Sequence, residues 1–72
     1  MSDFKYEILE SIGVISTSSG GWTRELNLVS FNDREGKYDL RDWAPDRNSM
    51  SKGFSFTREE LTLLKELLAP LT

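Results

Sequence analysis

Seventy-two residues, 38% of them hydrophobic, allow a single domain (residues 1–72) with a small core, near the size at which a lone chain struggles to bury enough apolar surface. The absence of cysteine and histidine excludes disulfides, thiolate metal sites, the commonest general base and the best nucleophile. A net charge of −3 argues against a uniformly basic polyanion binder, but the charge is uneven: residues 22–58 hold seven cations against six acids, while both flanks are acidic. Carboxylates and serines remain without a catalytic spacing, so the expectation is a non-enzyme with no cofactor and no small-molecule substrate. Asp33 and Asp46 read as turn formers and not as metal ligands, since no third ligand converges. No apolar run reaches membrane-spanning length and the N-terminus lacks signal-peptide features, so a cytoplasmic protein is expected, without a membrane partner.

Residues 4–16, FKYEILESIGVIS, predict a first strand in which Tyr6, Ile8, Ile12 and Val14 share a parity, with Gly13 as a bend or bulge. Ser16 to Gly21, STSSGG, is a turn between antiparallel strands. Trp22 to Asp33 predicts the second strand, with Val29 and Phe31 as a core pair. Leu26 and Leu28 share the parity of Trp22 and Arg24, so either a bulge shifts the register or the outer face is apolar. After the turn Asn32–Gly36, Lys37 to Ala44 predicts the third strand and Pro45–Ser49 a polar loop. Met50 to Phe56 predicts a fourth strand, where a bulge at Gly53 would re-aim Lys52 outward and leave Phe54 and Phe56 for the core. Thr57 to Glu60 is a capping box opening a helix from about Arg58 to about Ala69, stopped by Pro70. Its leucines form two stripes, Leu61, Leu64 and Leu68, and Leu63 with Leu67. A lone helix on a sheet needs only one stripe, which suggests a second copy of the chain as partner.

The third strand carries the functional signal. Lys37, Arg41 and Trp43 share one side with Asp39 among them, while Tyr38 and Leu40 point toward a core. Cations beside a flat aromatic suit single-stranded nucleic acid, whose phosphates need charge and whose unpaired bases stack. Lys52 and Arg24 are further phosphate candidates, and Trp22 is either a lid on the core or a base platform. Arg41 has a competing structural reading as an ion pair with Asp39 or Glu25.

Taken in order, Tyr38-Asp39-Leu40-Arg41, the loop after it, Lys52-Gly53-Phe54-Ser55-Phe56 and the leucine-rich segment from Thr57 to Leu68 resemble the transcriptional coactivator positive cofactor four family, in particular its small bacterial members. Leu28-Val29-Ser30-Phe31 is similar to that family's second strand, and the likeness spans roughly residues 26–68. The resemblance implies an α+β fold, a curved four-stranded antiparallel sheet followed by a C-terminal helix (β-β-β-β-α), in a homodimer. The helices would join the interface through Leu61, Leu63, Leu64, Leu67 and Leu68. It implies binding of single-stranded DNA with little sequence preference, in a transcription, replication or repair setting, with nucleoid association. Arg41 and Lys52 match the family's strand arginine and its lysine before glycine, and Trp43 lies close to its strand-end aromatic. Asn32 and Arg34 stand where the family often has basic and aromatic ligand contacts. The basic, serine-rich tail of the eukaryotic members has no counterpart here, so their activator contacts are not expected to transfer. Two other readings stay open: a single-stranded RNA binder, since stacking and phosphate contacts are shared, and a protein-interaction module docking through the sheet or the second leucine stripe.

Overall fold

Residues 5–72 are described by the structure, a computed structural model; Phe4, the expected start of the first strand, lies outside them. Four strands form in chain order, β1 (Tyr6–Thr17), β2 (Thr23–Phe31), β3 (Lys37–Trp43) and β4 (Phe54–Phe56), followed by helix α1 (Arg58–Leu68) and a 3₁₀ turn over Ala69–Leu71. They pair antiparallel in the order β1-β2-β3-β4, so the expected four strands and helix stand as one open sheet with β1 and β4 at its edges.

Strict alternation along β1 fails. Its register against β2 slips between Ile8 and Glu10, between Ser11 and Gly13, and between Val14 and Ser16. Each slip sets two residues of β1 against one of β2, a bulge that bends and twists the strand. Leu9, Ile12 and Ile15 are the residues skipped, so of the expected Tyr6, Ile8, Ile12, Val14 row only Tyr6, Ile8 and Val14 stay on one face, opposite Phe31, Val29 and Glu25. Leu9 instead meets Leu28, and Ile15 joins Leu26 and Leu40, on the side that carries the helix.

Between β2 and β3 the register is unbroken from Thr23↔Trp43 to Val29↔Lys37. The ambiguity over Leu26 and Leu28 therefore resolves without a bulge: that face is apolar, and it lies under α1. Asn32 and Asp33 turn the chain at φ 54° and 62°, a pair of left-handed residues that the short polar side chains of Asn and Asp tolerate. Beyond Trp43, Met50 bridges back to it, whereas Phe54 pairs with Leu40. Four steps on one strand thus face three on the other, and the extra residue falls at Lys52–Gly53, where a bulge was expected. Gly53 is obligatory there: a Cβ would stand 2.5 Å from both Arg41 Cβ and the Leu40 carbonyl oxygen. The regular part of β4 is accordingly shorter than the sequence suggested.

Burial reverses the polarity expected of β3, whereas Val29 of β2 is in the core as expected, at 0% exposure. Among the described residues, Glu25, Asn27, Val29, Asp39, Trp43 and Ala44 are buried, and all but Ala44 alternate on the face away from the helix. Coiling of the sheet explains this. It brings the Tyr6 ring to 5.4 Å from Trp43 and the Arg41 guanidinium to 4.9 Å from the Phe31 ring, although these pairs sit at opposite ends of their strands. Tyr38 and Leu40, expected in the core, are only half-buried on the helix side, and Phe54 is 71% exposed.

The capping box forms as the sequence specifies: Glu60 N–H donates to Thr57 Oγ1 at 3.1 Å and Thr57 N–H donates to Glu60 Oε1 at 2.9 Å. Leu61 and Leu64 lean on the sheet, yet no residue of α1 is buried, and Leu63 and Leu67 stand 59% and 72% exposed. A radius of gyration of 13.3 Å exceeds the about 11 Å of a compact domain of this length. No helix among the described residues is long and apolar enough to cross a membrane.

Candidate nucleic-acid interface

Two open clefts of about 290 Å³ each adjoin at the hairpin end of the sheet and share Arg24 and Asp42 as a common wall. The first is lined by the turn residues Ser16, Thr17 and Ser18 with Trp22; the second by Arg41, Ser51, Lys52, Gly53 and Phe54. Trp22 is held at the mouth of the turn by its own backbone, whose N–H donates to Ser18 Oγ while its carbonyl accepts from Ser18 N–H at 2.8 Å. The residue is 37% exposed. Lys52 is exposed and has no ion pair among the described residues, and the bulge at Gly53 fixes its position opposite Arg41. A run of aromatic, cation, cation, aromatic thus follows this edge from Trp22 through Arg24 and Lys52 to Phe54.

Arg24 is not a free cation. Its guanidinium donates to both carboxylate oxygens of Asp42, at 2.8 and 3.2 Å, with 57% of its side chain still exposed. That hydrogen bond holds Asp42 below its ordinary pKa and lifts Arg24 above its own. Exposed pairs of this kind are weak and open readily to a competing anion.

Arg41 takes the structural role that was one of its two readings. Its fork donates to both oxygens of Asp39 at 2.6 and 2.7 Å, and Asp39, with 0% exposure, also accepts from Ser55 Oγ. With 14% of its side chain exposed, Arg41 is committed to this pair. It forms the floor of the second cleft and is not an open phosphate ligand.

Trp43 departs most from expectation. The outward parity suggested a stacking platform, but the ring is 1% exposed. Tyr6 lies against it, and the Arg47 guanidinium sits 4.9 Å from its centroid. Arg47 also donates to Glu25 Oε2 at 2.5 Å, and Glu25 accepts further from Thr23 Oγ1 and Asn27 Nδ2. The Arg47 hydrogen bond, supported by Thr23 and Asn27 and opposed by burial, lowers the Glu25 pKa to about 2. The indole N–H is buried without a hydrogen-bond partner among the described residues.

The remaining candidates lie at the other end of the sheet. Lys37 is exposed beside a cleft of about 590 Å³ that holds Tyr38 and Arg58. Asn32 uses its side chain structurally, its Oδ1 accepting from Lys5 N–H at 2.9 Å to pin the start of β1. Arg34 is exposed on the same turn, its carbonyl accepting from Ser30 Oγ. The structure therefore joins Trp22, Arg24 and Lys52, sets Lys37 and Arg34 apart from them, and takes Trp43, Arg41 and Asn32 into the framework. Phe54 and Arg47 were missed. Phe54's parity was legible, but its exposure depends on how far α1 covers the sheet, and Arg47 lies in a loop with no periodicity.

The family profile described as Transcriptional Coactivator p15 (PC4) matches residues 18–67. A protein of Treponema pallidum (strain Nichols), described only as uncharacterized, is 47% identical over 66 residues, which are 92% of this chain and 78% of that protein. The matched segment contains the second cleft, the first except for Ser16 and Thr17, the Lys52–Gly53 bulge and nearly all of the capped helix. The chain belongs to the transcriptional coactivator p15 (PC4) family.

Proposed function

We propose that this protein is a non-enzymatic, homodimeric single-stranded DNA-binding protein with a coactivator-like role. The observation that carries the reading is the open edge on which Trp22, Arg24, Lys52 and Phe54 follow one another. Exposed rings can stack on unpaired bases while the cations neutralise phosphates, and a base-paired duplex offers no free base face to them. Lys37 and Arg34 extend the charge toward the far end of the sheet. Membership of a nucleic-acid-binding coactivator family supports the same ligand.

The second copy answers a deficit of burial. The accessible surface is 5662 Å², against the about 4,600 Å² expected for a compact monomer of this mass. The excess of roughly 1,000 Å² is close to what each partner of an ordinary stable interface covers. Ile15, Leu63, Leu67 and Leu71 are more than half exposed, around an apolar cavity of about 540 Å³ between sheet and helix. A two-fold pairing of these faces would bury both leucine stripes and double the number of cations presented to one strand.

Fluorescence anisotropy with labelled oligo-dT, matched duplex and matched RNA at two salt concentrations tests the function. The expected result is dT binding well above duplex binding, weakening with salt by ~0.7 log units per log unit for each phosphate neutralised. Absence of dT binding at low salt refutes the reading, and stronger RNA binding moves the ligand to single-stranded RNA.

A further inference from the structure

Trp43 is covered by a side chain of its own protein that has the shape and the contacts of a ligand. The loop Ala44–Ser49 is self-contained: Ala44 N–H donates to Ser49 O, Arg47 N–H donates to Ala44 O, and Asn48 N–H donates to Asp46 Oδ1. From this loop only Arg47 has a side-chain hydrogen bond or ring contact with the sheet. Its planar guanidinium lies over the indole and donates to Glu25. Arg47 holds this pose at φ 65°, a left-handed conformation that a long side chain rarely adopts. Beneath it, the indole N–H has no hydrogen-bond partner among the described residues. The pose therefore combines backbone strain with an unmet donor, and 44% of the Arg47 side chain faces solvent. Glu25 would keep two donors, Thr23 and Asn27, if Arg47 left. The loop also abuts the hairpin that bears Trp22: a Cβ on Gly21 would come within 3.0 Å of Pro45.

The geometry points to Arg47 as a specificity-determining latch that keeps Trp43 as a reserve stacking site, opened by unpaired nucleotides. Displacing it takes two things at once. An anion must receive the guanidinium, and a flat ring must replace it on the indole. A phosphate beside an unstacked base supplies both; a polyanion without bases supplies only the first, and a duplex keeps its rings occupied. The inference rests on the single-stranded DNA reading and extends it from the open edge to the adjoining buried ring.

The test uses the Trp22→Phe protein, in which Trp43 is the sole tryptophan, with its own dT affinity as reference. Acrylamide quenching of Trp43 is expected to be weak in the free protein. Bound oligo-dT should quench the emission by about half through stacking, whereas inorganic polyphosphate should leave it unchanged. Glu25→Gln removes the charge that anchors Arg47 and keeps Arg47 itself. It should raise dT affinity by roughly three- to tenfold, because more of the protein is already open, with a smaller gain for polyphosphate. Full dT binding with unchanged Trp43 emission overturns the latch and leaves the DNA reading standing. An equal gain for polyphosphate in Glu25→Gln reduces the effect to general electrostatics and also overturns it. Absence of dT binding by the unsubstituted protein removes both readings together.

Discussion

On the face away from the helix, β2 and β3 bury Glu25, Asn27, Val29, Asp39 and Trp43, and each buried carboxylate has an arginine within hydrogen-bond reach. On the face under the helix the side chains are apolar, yet Leu26, Leu28, Tyr38 and Leu40 are only half-buried and Phe54 is open. The first face is completed by the coiling of one chain, which carries Tyr6 and Phe31 over Trp43 and Arg41. The second has too little of its own chain to cover it. Hydrophobicity alone would have placed the core on the leucine side. Curvature decided otherwise, because only the concave side can be closed by the same sheet.

The largest expected effect tests that assignment directly. Trp43→Ala should destabilise the fold by about 3–5 kcal/mol, the range for removing a buried aromatic, measured by urea denaturation. A loss below about 1 kcal/mol with weakened DNA binding would return Trp43 to the surface. Next, Leu67→Asp, at a position 72% exposed, should break the association of the leucine faces. Light scattering after size exclusion should show a monomer, and a persistent dimer would move the interface elsewhere. Lys52→Ala and Trp22→Ala probe the open edge. The first should reduce the salt dependence of dT binding by ~0.7 log units per log unit, and the second should cost about tenfold in affinity. Unchanged binding in both variants would displace the site from this edge.

The smallest effect concerns acid. Glu25 has its pKa depressed to about 2 from 4.5, so its ionised form stabilises the fold fully above the unfolded value. That contribution is lost as pH falls from about 4.5 toward 2. It amounts to about 1–2 kcal/mol once screening at the half-exposed Arg47 is allowed for. Thermal melts of the protein and of Glu25→Gln should converge across this interval, and parallel curves would sever the pair from stability.

Strand order, the capped helix and the slip at Gly53 were legible because each rests on local chemistry: capping residues, turn formers and side-chain parity. The apolar outer face of β2 was one of two open alternatives until the unbroken register decided it. The direction of burial was not. Parity places Lys37, Asp39, Arg41 and Trp43 together, as they are, but it does not say which side of a sheet closes. Three bulges in β1 settled that, and nothing in YEILESIGVIST announces them beyond one glycine, which is not among the skipped residues. The candidate site divided accordingly. Trp22, Arg24 and Lys52, set by turn and bulge chemistry, came together at one edge. Arg41 and Trp43, whose exposure depended on the closing side, were absorbed into the interior.

Those three bulges have an effect on self-association as well. β1 is a twelve-residue edge strand carrying Leu9, Ile12, Val14 and Ile15, the composition from which fibrils grow when an unpaired backbone lies straight. Each slip rotates the free N–H and C=O groups out of line, so no long stretch of that edge offers an even ladder to another chain. Growth by adding strand to strand is blocked, while the smooth leucine face stays available. An aliphatic edge strand of this length is thereby kept from acting as a straight template for a further strand.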